Sequence, residues 1–158
     1  MKKQILSITV NGEDFDLAVA PNTTLLEVLR DGCGFSGVKE GCSEGVCGAC
    51  TVLMNGYPIR SCSTLALEAE GSEILTIEGL ATRGKLHPIQ QAFVDKGSVQ
   101  CGFCTPGMIL SSKALLDGNP SPSDDEIKTA LAGNFCRCTG YTKILDAVRA
   151  VAGGEYSD

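Results

Sequence analysis

Leu6, Ile8 and Val10 alternate with Ser7 and Thr9, the two-residue period of a strand with one buried face. Asn11-Gly12 is a hairpin signal, and Phe15, Leu17 and Val19 alternate on the return. Thr24 with Glu27 three residues later matches a capping box. Leu25, Leu26, Val28 and Leu29 then place an apolar face at helical spacing, and Gly32 supplies a stop. Thr51 to Met54 and Tyr57 to Ser61 flank Asn55-Gly56 as a second hairpin, and Ile74 to Ile77 reads as a last strand. Strand pairs, one helix, a hairpin and a closing strand predict an α+β domain ending near Gly79.

The second half changes period. His87-Pro88 opens a helix that Gly97 stops, and Thr105-Pro106 reads as an N-cap with proline at the first helical position. Met108, Ile109, Leu110, Leu115 and Leu116 follow as core, up to the stop at Gly118-Asn119-Pro120. Ser123 and Glu126 form another capping box, for a helix closed by Gly133. Ile144, Leu145, Val148 and Val151 mark a final amphipathic helix after Thr142. Four short helices with short connections predict a small bundle. The expected division is 1–79 and 80–158, with the linker at 78–86.

With 158 residues, each half would hold a thin core, and small domains commonly need a metal or another staple. Aromatics are 5% and Trp is absent, so those cores must be aliphatic. The net charge of −6 disfavours nucleic acid, which requires a basic face. Polar residues interrupt the first apolar run, so no signal peptide is read there, and no stretch approaches the roughly 18 apolar residues of a membrane span. The expected location is therefore cytoplasmic, where nine cysteines point to metal ligation rather than disulfides.

Cys42, Cys47 and Cys50 have the spacing C-x4-C-x2-C, with Cys62 following, which is the plant-type 2Fe–2S ligand pattern. Glycines at 34, 37, 41, 45 and 48 surround them with almost no apolar periodicity, as a loop wrapped around something requires. Four thiolates on a two-iron, two-sulfide core leave a negative charge that directed backbone N–H groups stabilise. Zinc prefers two pairs of closely spaced ligands, and only Cys47-x2-Cys50 resembles one. Cys101-x2-Cys104 and Cys136-x-Cys138 form a second set, at the expected starts of two helices whose dipoles suit an anionic centre. That pattern alone leaves zinc and an iron–sulfur cluster both open. Cys33 fits neither spacing and reads as a spare buried thiol. His87 reads as a helix cap, and Asp124, Asp125 and Glu126 as first-turn acids rather than a catalytic pair. Arg137, between two cysteines, reads equally as a charge acting on a cluster or as a solvated or partner-facing side chain.

Three strings, Gly41-Cys-Ser-Glu-Gly-Val-Cys-Gly-Ala-Cys50, Gln100-Cys-Gly-Phe-Cys-Thr-Pro-Gly107 and Gly133-Asn-Phe-Cys-Arg-Cys-Thr-Gly-Tyr141, carry a resemblance that spans essentially the whole chain. The chain resembles the small iron–sulfur subunit of the molybdenum hydroxylases, the family of xanthine dehydrogenase and aldehyde oxidoreductase. The resemblance implies a β-grasp ferredoxin-like domain followed by a four-helix bundle, each with one 2Fe–2S cluster. The bundle's cluster would lie nearest the molybdenum cofactor, and the other would face a flavin. Gln100 and Cys138 would approach the pterin, Cys138 while remaining a cluster ligand. Molybdopterin and FAD would reside on a large and a medium partner subunit, in a heterotrimer or a dimer of heterotrimers. No catalytic residue is expected in this chain. A stand-alone ferredoxin-type carrier is the alternative, against which the four cysteines of the second half weigh; a zinc-stabilised interaction module is a further rival. An aromatic or N-heterocyclic substrate is expected for the complex.

Overall fold

The alternation in the first 20 residues folds as read. In the computed structural model, which describes residues 2–156, β1 (Gln4–Val10) pairs antiparallel with β2 (Glu13–Val19). Leu6, Ile8 and Val10 are buried while Ser7 and Thr9 turn outward to Asp16 and Asp14. Thr24 caps α1 (Leu25–Glu27) through the full reciprocal box. The helix then widens into a π-turn over Val28–Gly32, where the Cys33 N–H donates to the Val28 carbonyl at 2.9 Å. The regular helix is thus shorter than the apolar pattern implied. The wider turn still keeps Leu25, Leu26, Val28 and Leu29 on the sheet.

β3 (Thr51–Met54) and β4 (Tyr57–Arg60) make the second hairpin, and β5 (Glu73–Leu75) joins the two pairs. The sheet is mixed, in the order β2-β1-β5-β3-β4, because β5 runs parallel to β1 and antiparallel to β3. Strand β5 ends before Ile77, which enters a 3₁₀ turn. The reason lies in Asn11, whose side chain accepts the Thr76 N–H and donates to the Thr76 hydroxyl, both at 2.9 Å. Glu78 then accepts the Gly37 N–H at 2.6 Å and the Thr76 hydroxyl at 2.7 Å. Much of the expected linker is therefore tied down, and Leu80 is buried in the second core.

The helical half contains α2 (Pro88–Asp95), α3 (Thr105–Gly118), α4 (Asp124–Leu131) and α5 (Thr142–Ala152). With α1, the described residues hold five α-helices. His87 caps α2 through its ring nitrogen, and Ser123 caps α4 with Glu126 closing the box. Thr105 is not a cap: Cys104 takes that position, and Thr105 is the first helical residue. Helix α4 ends at Leu131 with Ala132 as its C-cap, so Gly133 follows as the expected glycine stop. Ile89, Phe93, Met108, Ile109, Ile127, Ile144 and Val148 form the core between these helices. No helix among the described residues is long and apolar enough to cross a membrane.

The two halves meet at a polar seam. Asn134 is 2% exposed, yet its amide donates to the Gly48 carbonyl at 3.0 Å and to the Thr51 hydroxyl at 3.2 Å, while its oxygen accepts from Ser111 at 2.8 Å. Arg60 donates to Thr51 at 2.8 Å and to the Gly133 carbonyl at 2.7 Å. Among the described residues no buried side-chain N or O lacks a partner. Helix α3 approaches so closely that a Cβ on Gly107 would collide with the Gly48 carbonyl oxygen. Gly107→Ala should therefore cost about 1–3 kcal/mol through overpacking against backbone. Gly118→Ala, in open space at the end of the same helix, should leave stability unchanged or raise it. Urea denaturation of the two variants measures both.

Candidate functional site

Cys42, Cys47 and Cys50 lie on the loop between the π-turn and β3, and Cys62 sits in a 3₁₀ turn (Ser61–Ser63) directly after β4. The loop curls through left-handed backbone at Ser43, Gly45 and Gly48, with φ of 55°, 75° and 72°. At Gly48 a side chain is excluded twice over, by this φ and by the Gly133 carbonyl oxygen that a Cβ would strike. The curl points N–H groups inward: Glu44 and Cys47 each donate to Cys42 Sγ at 3.4 Å. These bonds, that of Cys47 foremost, lower the Cys42 thiol to about 6. Burial pushes Cys62 up to about 11, helped by the Cys50 thiol facing it. Burial also raises Cys47, whose thiol meets that of Cys42.

The second set gathers across the helical half. Cys104 caps α3, Cys101 precedes it, and Cys136 and Cys138 lie in the turn before α5. Cys101 and Cys138 stand 3.6 Å apart, sulfur to sulfur, and both are exposed. Cys104 and Cys136 face each other farther in. Burial drives Cys104 up to about 12, with the Cys136 thiol adding to it. Burial acts on Cys136 in the same sense, but hydrogen bonds from Thr139 outweigh it and bring that thiol down to about 7.

Each set thus divides into two pairs: Cys42 with Cys47, Cys50 with Cys62, Cys101 with Cys138, and Cys104 with Cys136. Two thiolates on one tetrahedral metal, at bonds of about 2.3 Å, stand roughly 3.7 Å apart. The 3.6 Å separation of Cys101 and Cys138 fits one metal per pair.

The two sets also touch through the backbone, because the Phe135 N–H, one residue before Cys136, donates to the Cys47 carbonyl at 2.9 Å. Gln100 and Arg137 are exposed beside the second set. Cys33 is half-buried against the sheet core, where burial raises its thiol, and belongs to neither set. The sequence pattern missed Asn134, Arg60, Thr139 and Tyr141 as residues that shape the site. Asn134, Thr139 and Tyr141 stand inside the Gly133–Tyr141 string and Arg60 two residues before Cys62, which was their only signal.

The mixed-sheet half and the helical half each belong to an iron–sulfur domain family. Residues 8–76 match the family described as the 2Fe-2S iron-sulfur cluster binding domain, and residues 76–149 match the [2Fe-2S] binding domain. The chain is 54% identical to the nicotinate dehydrogenase small FeS subunit of Eubacterium barkeri, over 94% of this chain and 95% of that one. It is 50% identical to the xanthine dehydrogenase iron-sulfur-binding subunit of Escherichia coli O157:H7, over 90% and 91% of the two chains. Quinoline 2-oxidoreductase from Pseudomonas putida 86 superposes with a TM-score of 0.93 at 44% identity, over 98% of this chain and 96% of that chain. The chain belongs to the family of iron–sulfur subunits of the molybdenum hydroxylases, that of xanthine dehydrogenase and aldehyde oxidoreductase.

Thiolate, not thiol, attacks alkylating reagents. Of Cys42, Cys62, Cys104 and Cys136, the protein freed of metal should therefore be labelled sooner at pH 7 at Cys42 and Cys136, at about 6 and about 7, than at Cys62 and Cys104, at about 11 and about 12. Time-resolved iodoacetamide labelling read by peptide mass spectrometry checks this order; equal rates at the four positions would contradict it.

Proposed function

We propose that this chain carries single electrons between a molybdopterin centre on a large partner subunit and FAD on a medium one, and performs no bond chemistry alone. Cys42, Cys47, Cys50 and Cys62 would hold one 2Fe–2S cluster, and Cys101, Cys104, Cys136 and Cys138 the other. Each cluster, when bound, supplies a one-electron site, of a class that for plant-type ferredoxins sits near roughly −400 mV. The observation that carries the reading is the joining of two four-thiol sets by the Phe135 N–H to Cys47 carbonyl bond. That contact gives the chain a continuous bonded route from one set to the other.

The residues divide the work in a way that supports two distinct partners. Cys101 and Cys138 are exposed, with Gln100 exposed beside them, so this edge is open to a pterin from the large subunit. Cys50 and Cys62 are buried beneath the other loop, whose Val46 is 54% exposed and available to a flavoprotein surface. We take the first 79 residues as a β-grasp domain and 80–158 as a four-helix bundle, supported by the five-stranded mixed sheet and by the shared core of α2 to α5. The complex is read as a heterotrimer or a dimer of heterotrimers. Nine free cysteines support a cytoplasmic location. The names nicotinate dehydrogenase, xanthine dehydrogenase and quinoline 2-oxidoreductase support an N-heterocyclic or related aromatic substrate for the whole complex.

Anaerobic purification should yield this chain with two larger ones, about four irons per copy, and two distinguishable paramagnetic signals on reduction. Cys47→Ser should abolish one signal and leave the other. A single centre, or loss of both signals in that variant, would refute the two-site relay.

A further inference from the structure

The turn after Cys136 is built around that residue's sulfur. Thr139 Oγ1 donates to Cys136 Sγ at 3.1 Å, and the Thr139 N–H donates to the same sulfur at 3.4 Å. The threonine oxygen in turn accepts the Tyr141 N–H at 3.2 Å, which leaves its own proton for the sulfur. Tyr141 adopts a left-handed backbone, φ 69°, rare for an aromatic residue. Its phenol oxygen reaches back to accept the Cys136 N–H at 2.9 Å. Cys136 is thereby held at its backbone and capped at its sulfur by one five-residue turn.

The first cysteine set lacks this feature. Its sulfurs accept from backbone amides, among them those of Glu44 and Cys47 to Cys42, both at 3.4 Å, and those of Ala49 to Cys47 and Gly45 to Cys62. Among the described residues, Thr139 provides the one side-chain hydroxyl that donates to a cysteine sulfur. Reduction of a thiolate-bound cluster adds negative charge, part of it on the sulfurs. A donor directed at such a sulfur strengthens as that charge grows, so it favours the reduced state.

We propose that Thr139 sets the reduction potential of the C-terminal cluster, its hydroxyl holding that potential above the value the same turn would give without it. The proposal rests on Cys136 being a ligand, as read above. Because Thr139 acts through Cys136, it is a positioning residue whose effect is electrostatic.

The test is a redox titration of the full chain in its complex, followed by electron paramagnetic resonance, with the C-terminal signal identified as the one that Cys47→Ser spares. Thr139→Val should lower the reduction equilibrium constant of that signal by about tenfold, or about 59 mV for a one-electron couple. The other signal should stay fixed, and Thr139→Ser should restore the wild-type value. If the second methyl of valine displaces the turn and the signal is lost, Thr139→Ala, which only removes atoms, gives the same reading. An unchanged potential with both signals retained would overturn the proposal, as would an equal shift of both signals. Absence of the C-terminal signal from the unsubstituted protein would instead overturn the ligand assignment beneath it.

Discussion

Two cysteine loops from different halves of the chain are fastened back to back by buried amide hydrogen bonds, and the geometry of both sites depends on that seam. Asn134 joins Gly48 of one loop and Thr51 at the start of β3 to Ser111 of α3, and Arg60 grips the Gly133 carbonyl beside it. A buried polar group without a partner costs about 1–3 kcal/mol, so a cluster of bonds this complete tolerates little sliding. Gly48 and Gly107 let the backbones close to a distance that any side chain would prevent. With the seam fixed, Phe135 meets Cys47, and one residue further on Cys136 is placed for its own set.

Within each set, the protein answers the same electrostatic demand by different means. Several thiolates brought together repel one another and resist ionisation when buried, as the raised Cys62 and Cys104 record. Opposed to this are donors aimed at the sulfurs: backbone amides curled inward in the glycine-rich loop, and a hydroxyl together with an amide in the turn before α5.

The exposure of the two sets follows from where their cysteines sit. Cys50 immediately precedes β3 and Cys62 lies two residues past the end of β4, and both are buried. Cys101 and Cys138 flank helix starts at the rim of the helical half, open to another molecule. The chain therefore presents one thiol pair outward, holds another inward, and connects them through backbone.

Local rules read from the residues alone determined much of this protein. Alternation located β1 and β2, and the Thr24 and Ser123 boxes located two helix starts. These succeed because strand period and capping are encoded within a few neighbours. The same rules failed at Thr105, where Cys104 took the cap, and at Val28–Gly32, where the helix opens into a π-turn. Only the tertiary structure decided how the thiols pair and how the two loops join. The bond from Asn134 to Gly48 spans 86 residues and leaves no periodic trace in sequence. Contacts of that kind arise where surfaces from the two halves meet, and so depend on shape rather than on any neighbouring residue.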